Sequence, residues 1–189
     1  MKHRCVFLDR DGTINKEVSY LHRIEDIEIM KGVAKGIRML NTHGYMVIVI
    51  SNQSGVARGF FSTEEVEMIN EKINELLLAE DAKITEFYYC PHHPNGIQKK
   101  YSVKCNCRKP NIGMIAGAVK KYDIDITASY LIGDKATDMK TARNAGCGDI
   151  LVLTGYGRET MKELANPPLF TARSLDEAAE WIIKRNQNE

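Results

Sequence analysis

Short, uninterrupted apolar runs alternate along this chain with segments of helical periodicity, and that alternation constrains the fold more than any other feature. Residues 5–8, 45–50, 84–89, 130–132 and 150–153 read as strands, with a short sixth around Phe170. A strand that is apolar at nearly every position has both faces buried, as in a parallel sheet covered by helices on each side. Helical spacing fills the gaps. One helix spans 32–41 and is closed by Gly44, and another follows the capping-box pattern Ser62-x-x-Glu65 with Val66, Ile69, Ile73 and Leu76. Further helices span 114–122 and 136–144, and a last one follows Ser174 with Ala178, Trp181 and Ile182. The expected class is α/β: a three-layer, doubly wound, mostly parallel sheet of Rossmann-like type. A chain of 189 residues suits one domain over 1–189.

Composition narrows the function classes. Lys and Arg total 26 against 25 Asp and Glu, a net charge of +1, so no concentrated basic face for long polyanions is expected. No nucleic-acid partner is therefore anticipated. No apolar run approaches the ~20 residues of a membrane span. The apolar start is too short for a signal-peptide core, so a cytoplasmic location without membrane attachment is expected. Five cysteines, an odd count, argue against a disulfide framework.

Polar residues follow the strands at their carboxyl ends, where open α/β sheets bind ligands. Asp9 and Asp11 follow the first strand in Phe7-Leu8-Asp9-Arg10-Asp11-Gly12-Thr13. Alone, Asp-x-Asp-Gly also allows a surface turn, as the lesser reading; a calcium loop would need further oxygen ligands that this stretch lacks. Ser51, Asn52 and Gln53 come just past the second strand. Arg108-Lys109-Pro110 precedes a helix, and Gly133-Asp134-Lys135 ends another strand with Asp138 beyond it. Together these pieces supply carboxylates, a hydroxyl, amides and a cation, which is what phosphoryl transfer needs.

This set resembles the four motifs of the haloacid dehalogenase (HAD) superfamily of phosphatases. The likeness extends over nearly the whole chain to the D-glycero-D-manno-heptose 1,7-bisphosphate 7-phosphatase family, a relative of histidinol-phosphate phosphatase. It is carried by residues 9–15, Ser51-Asn52-Gln53-Ser54-Gly55, Tyr89-Cys90-Pro91-His92-His93-Pro94, Cys107-Arg108-Lys109-Pro110 and Gly133-Asp134-Lys135. Ser51 stands where Thr is more usual and keeps the hydroxyl. The resemblance implies a Mg²⁺-dependent phosphoric monoester hydrolase serving nucleotide-activated heptose and lipopolysaccharide synthesis. Asp9 would be the nucleophile, forming an aspartyl phosphate. Asp11 would be general acid, then base, with its backbone carbonyl on the metal. Asp134 would join Asp9 and Asp11 as the Mg²⁺ ligands. Ser51, Asn52 and Lys109 would hold phosphoryl oxygens, with Gln53 and Ser54 beside them. Between the close carboxylates Asp9 and Asp11, the metal opposes protonation at Asp9, so Asp11 is expected to carry the proton. Asp138 suits a partner of Lys109, a place near the metal or a helix surface.

Cys90-x-His92 and Cys105-x-Cys107 supply three thiolates and an imidazole, a tetrahedral Zn²⁺ set with no position left for water, hence structural. His93 is the rival of His92, which the resemblance favours. Zinc there would steady Arg108 and Lys109. Between Thr13 and Ser51 the chain offers a loop and one helix, too little for a large cap domain. The zinc loop and Glu17, Val18, Ser19 and Tyr20 would then form the rim of the site. Arg108 and Lys135 are candidates for a second phosphate. A monomer acting on a small sugar bisphosphate is expected. Histidinol phosphate, another sugar phosphate, or a non-catalytic zinc-loop binding module are the alternatives.

Overall fold

The structure, a computed structural model, describes residues 2–187. β1 (Arg4–Leu8), β2 (Tyr45–Asn52), β3 (Glu86–Cys90), β4 (Tyr130–Gly133), β5 (Gly148–Val152) and β6 (Phe170–Ala172) form one six-stranded sheet in the order β3-β2-β1-β4-β5-β6. Every neighbouring pair is parallel. The α-helices are α1 (Val33–Thr42), α2 (Thr63–Leu78), α3 (Gly113–Tyr122), α4 (Ala136–Ala145), α5 (Gly157–Glu163) and α6 (Leu175–Gln187).

Alternate strand residues point to opposite faces, so the continuous apolar runs feed two cores. Val6, Leu8, Val47, Val49, Ile132 and Ile150 pack with α1, α2 and α6 through Ile37, Leu40, Ile69, Ile73 and Ile182. Cys5, Phe7, Ile48, Ile50 and Leu131 pack on the other face with Met114, Ile115 and Ala118 of α3 and Ala142 of α4. This is the expected three-layer arrangement. Among the described residues no helix is long and apolar enough to cross a membrane, and residues 9–32 carry turns and one short 3-10 stretch rather than a cap.

The capping box at α2 is present: the Glu65 N–H donates to Ser62 Oγ at 3.2 Å and the Ser62 N–H donates to Glu65 Oε2 at 2.7 Å. Two expectations need correction. β2 continues through Ser51 and Asn52, so those residues lie in the strand rather than beyond it. α5 has no counterpart in the sequence reading, because its seven residues are too polar and too few for a helical apolar period.

The reversal of connectivity falls at β1, whose neighbours β2 and β4 lead to opposite edges of the sheet. Leu8 lies opposite both Val49 and Ile132. The register therefore brings Asp9, Ser51 and Asp134 out at one sheet edge, the place where such folds bind ligands.

Candidate active site

Asp9 leaves β1 with its N–H donating to the Ile132 carbonyl at 3.0 Å. Its Oδ1 accepts the Arg10 N–H at 2.8 Å and lies 2.8 Å from Lys109 Nζ. That ammonium also donates to the Ile50 carbonyl at 2.9 Å and sits 2.6 Å from Asp138 Oδ1. Asp138 is fully buried and additionally accepts the Lys135 N–H at 3.0 Å. Of its three expected places, the geometry supports partner of Lys109 and a position near the metal, and its burial rules out the helix surface. Burial alone would lower the Lys109 ammonium, but Asp138 and Asp9 outweigh it and raise the pKa, so the side chain stays charged.

Asp9, Asp134 and Asp138 each offer an oxygen within 4.8 Å of the others. Burial first, then the charge of Asp9, pushes Asp134 up to about 7 and Asp138 up to about 6. Lys109 touches Asp9 and Asp138, and the Lys135 charge acts on Asp9 and Asp134, so two cations face three buried carboxylates. Asp134 Oδ2 accepts the Tyr156 N–H at 2.8 Å, while its buried Oδ1 has no hydrogen-bond partner. An all-oxygen donor set with an orphaned carboxylate oxygen fits a hard divalent cation such as Mg²⁺.

The Asp11 carboxylate stands apart from this cluster. Its Oδ1 accepts from Arg10 Nε at 3.2 Å, Arg10 Nη2 at 3.1 Å and Asn15 Nδ2 at 3.0 Å. Its Oδ2 accepts from Arg10 Nη2 at 3.1 Å and Gln53 Nε2 at 2.9 Å. Burial raises its pKa, but the Arg10 charge and these donors outweigh burial and hold it below the ordinary carboxylate value. The expectation of a protonated Asp11 is thus corrected for the ligand-free protein, where it is a carboxylate.

Several expected substrate contacts are already engaged. Gln53 is buried, and its amide donates to Asp11 and to Ser51 Oγ at 2.6 Å. Asn52 clamps the Lys109 main chain, accepting its N–H at 3.0 Å and donating to its carbonyl at 3.2 Å. Ser54 gives its carbonyl to the Arg58 N–H. Lys135 donates to Glu17 at 2.9 Å. Glu17, Ser19, Tyr20 and Lys135 line one cavity of about 590 Å³ together with Glu159 and Glu163, whereas Val18 lines a separate one. Ser19 and Tyr20 both have left-handed backbone, with φ of 50° and 72°, and Tyr20 packs edge-on against Phe60 at 4.8 Å. Arg108 donates to the His92 carbonyl at 3.3 Å and has no carboxylate partner among the described residues.

Two groups went unassigned in the sequence. Arg10, with no solvent exposure, bridges Asp11 and Asn70 of α2. The loop after β5 packs under Asp134: Thr154 Oγ1 donates to the Gly12 carbonyl at 2.7 Å. A Cβ on Gly155 would fall 2.7 Å from Gly12 Cα and 3.0 Å from Asp134 Cγ. The rule that singled out strand carboxyl ends, applied to β5, would have found this loop.

Cys90, His92, Cys105 and Cys107 converge. Their sulfurs lie 3.1–3.5 Å apart, and His92 Nδ1 is 3.3 Å from Cys107 Sγ. Their protein-only spacing is slightly inside the ~3.8 Å edge of a tetrahedron with ~2.3 Å Zn–S bonds, so the soft N/S set fits Zn²⁺. His93 points away: its Nδ1 accepts the Asn95 N–H, and its Nε2 faces Arg58.

A parallel sheet with a switch at β1, paired aspartates after it, and a buried lysine and carboxylate on neighbouring elements define a HAD-like phosphohydrolase. A family model described as HAD-hydrolase-like matches residues 106–178. Two proteins of Photorhabdus laumondii are similar over most of both chains. One, a D-glycero-alpha-D-manno-heptose-1,7-bisphosphate 7-phosphatase, is 41% identical, covering 93% of this chain and 98% of its own. The other, the corresponding beta enzyme, is 42% identical, covering 95% and 97%. The crystal structure of D,D-heptose 1,7-bisphosphate phosphatase from B. bronchiseptica, complexed with magnesium and phosphate, superposes with a TM-score of 0.87 at 29% identity, covering 96% and 99%. The chain belongs to the D-glycero-D-manno-heptose-1,7-bisphosphate 7-phosphatase family, and it is a phosphoric monoester hydrolase.

Proposed function

We propose that this protein removes the 7-phosphate of D-glycero-D-manno-heptose 1,7-bisphosphate through a phosphorylated Asp9. The observation that carries the reading is the buried meeting of Asp9, Lys109, Asp138 and Asp134 at the sheet edge, in a chain whose relatives carry that activity in their names.

Asp9 Oδ1 is held by Arg10 and Lys109, which leaves Oδ2 as the attacking oxygen. Asp11, a carboxylate in the ligand-free protein, first takes up a proton from solvent as the phosphate ester binds. As the Oδ2–phosphorus bond forms, the bond from phosphorus to the sugar oxygen breaks, and Asp11 gives that oxygen its proton. A water then attacks the acyl phosphate and surrenders its proton to Asp11, releasing phosphate and restoring Asp9. Lys109 offsets charge on the transferring group from a fixed position. Ser51 Oγ lies within the same buried edge to meet a phosphoryl oxygen. Asp9 and Asp134, with the Asp11 carbonyl that the family resemblance implies, would hold Mg²⁺, which would supply neutralisation of phosphoryl charge. Zn²⁺ on the Cys/His set would secure Cys107 and thereby Arg108 and Lys109, a task shared with the Asn52 clamp. Arg108, lacking a carboxylate partner, receives the second phosphate.

The two anomer-specific relatives are equally similar to this chain, so the anomer falls to assay. Histidinol phosphate keeps a place there because Glu17, Glu159 and Glu163 line a cavity beside Lys135, and carboxylates suit an amine. Phosphate release is measured with both heptose bisphosphate anomers, histidinol phosphate and simple sugar phosphates, with Mg²⁺ and an Asp9→Asn control. Preference for a heptose bisphosphate, lost in the control, supports the proposal; turnover of histidinol phosphate alone overturns the substrate, and undiminished activity in Asp9→Asn overturns the mechanism.

A further inference from the structure

We propose that Asn70, on the inner face of α2, is a positioning residue for proton transfer: it aims the Arg10 guanidinium, and Arg10 in turn fixes the Asp11 carboxylate. The proposal rests on reading Asp11 as the acid–base group.

The contacts form a single line from helix to site. Asn70 Oδ1 accepts Arg10 Nη1 at 3.0 Å. The other edge of the same planar fork, Nε and Nη2, donates to Asp11 at 3.1–3.2 Å. A guanidinium gripped at one end cannot turn about its long axis without breaking the contacts at the other. The Arg10 main chain is equally fixed, since its carbonyl accepts from Thr13, Ile14 and Asn15. Asn70 is the one hydrogen-bond partner of the Arg10 side chain, among the described residues, that lies outside the turn carrying the two aspartates.

Neither the helix nor the core asks for an asparagine there. Asn70 shares the buried face of α2 with Val66, Ile69 and Ile73, and Leu is both the better helix former and the better filling for an apolar face. The polar choice is explained by its link to Arg10. The orientation this sets is that of a carboxylate which must hand its proton to the oxygen leaving phosphorus and later take one from water.

Leaving-group dependence separates positioning from mere stability. A sugar alkoxide needs a proton as it leaves; p-nitrophenolate, a far weaker base, does not. Asn70→Leu and the smaller change Asn70→Ser are assayed in single turnover, by release of the sugar from a heptose bisphosphate and of p-nitrophenolate from p-nitrophenyl phosphate, with Asp11→Asn as reference, because hydrolysis of the aspartyl phosphate uses Asp11 with either substrate. Expected for the Asn70 variants is a fall of about 10-fold in the rate of sugar release with half-saturation little changed, and a fall under about 3-fold in release of p-nitrophenolate. Asp11→Asn should show the same selectivity, larger, on the order of 100-fold or more. If Asp11→Asn is selective and the folded Asn70 variants lose both activities equally, change only in half-saturation, or lose nothing, the role of Asn70 is overturned while the acid–base reading stands. If Asp11→Asn itself is unselective, that reading falls and takes the proposal with it. Failure of both Asn70 variants to fold assigns the contact to stability and overturns the proposal.

Discussion

Replacing Gly155 with alanine should damage the site through a single methyl group. Gly155 has φ of 50°, a left-handed conformation that costs a residue with a Cβ about 1–2 kcal/mol. The added carbon would lie 2.7 Å from Gly12 Cα and 3.0 Å from Asp134 Cγ. Carbon atoms settle at ~3.5–4.0 Å, so something must retreat by about 1 Å. The loop itself is pinned, with the Leu153 N–H on the Ala172 carbonyl and the Gly157 N–H on the Thr154 carbonyl, both at 2.8 Å. The Asp134 carboxylate, held on one oxygen only, is the part that yields. A displacement of about 1 Å at the reacting centre costs on the order of 100-fold in rate. The assay is phosphate release against Mg²⁺ concentration, with a melting curve to establish folding. Expected are a kcat about 100-fold lower, a higher Mg²⁺ requirement, and a Tm lower by roughly 5 °C for about 2 kcal/mol. A folded variant with wild-type kcat and Mg²⁺ requirement would refute the placement of this loop beneath Asp134.

Lys109→Met should abolish turnover by about 1,000-fold or more and lower stability near neutral pH by about 3 kcal/mol, because Asp9 and Asp138 lose their buried cation. Adding Asp138→Asn should recover stability without recovering activity; recovery of activity would show that Lys109 only balances charge. Asp134 and Asp138 have pKa values raised by burial and by Asp9, to about 7 and about 6 from 3.8. Their contribution to stability is complete below the unfolded value and is lost as pH rises through 6–7. Mg²⁺ should therefore raise Tm more at about pH 8 than at about pH 5.5, and an equal rise at both would contradict this. Purified protein should hold about one zinc per chain, and Cys105→Ser should lose it with a fall in kcat of about 10-fold. Full zinc retention in that variant would remove Cys105 from the set.

The elements most readable in the sequence were those whose signal is local. β1 and β4 are buried on both faces, so their apolar runs admit little else, and the two Asx-containing ends that follow them needed only that rule. α5, short and polar, left no period to detect. Asp138 could be placed only once its complete burial against Lys109 was known, because a carboxylate on a helix reads the same inside or outside. Asn52 suits a phosphate ligand because it is an amide, and the structure gives it a further task, one bond from each polar atom to the Lys109 main chain, with one amide hydrogen left over. Along the sequence only Asp9 and the expected metal stand beside Asp11, which favours a proton there; the Arg10 guanidinium reverses the balance. Arg10 itself gave no sign of its direction, since a charged residue beside a turn ordinarily faces water.

By itself, then, the sequence determined the α/β class, the strand ends that bear chemistry, and the Cys/His set, whose paired ligands lie two residues apart. These follow from side-chain periodicity and from spacing along the chain. Only the tertiary structure decided that Lys109 reaches Asp9, that Asn70 reaches Arg10, and that the β5 loop supports Asp134. Such meetings depend on strand order, above all on β4 settling beside β1. That order is set by how helices cover both sheet faces, a property of the whole packed chain that no local stretch encodes.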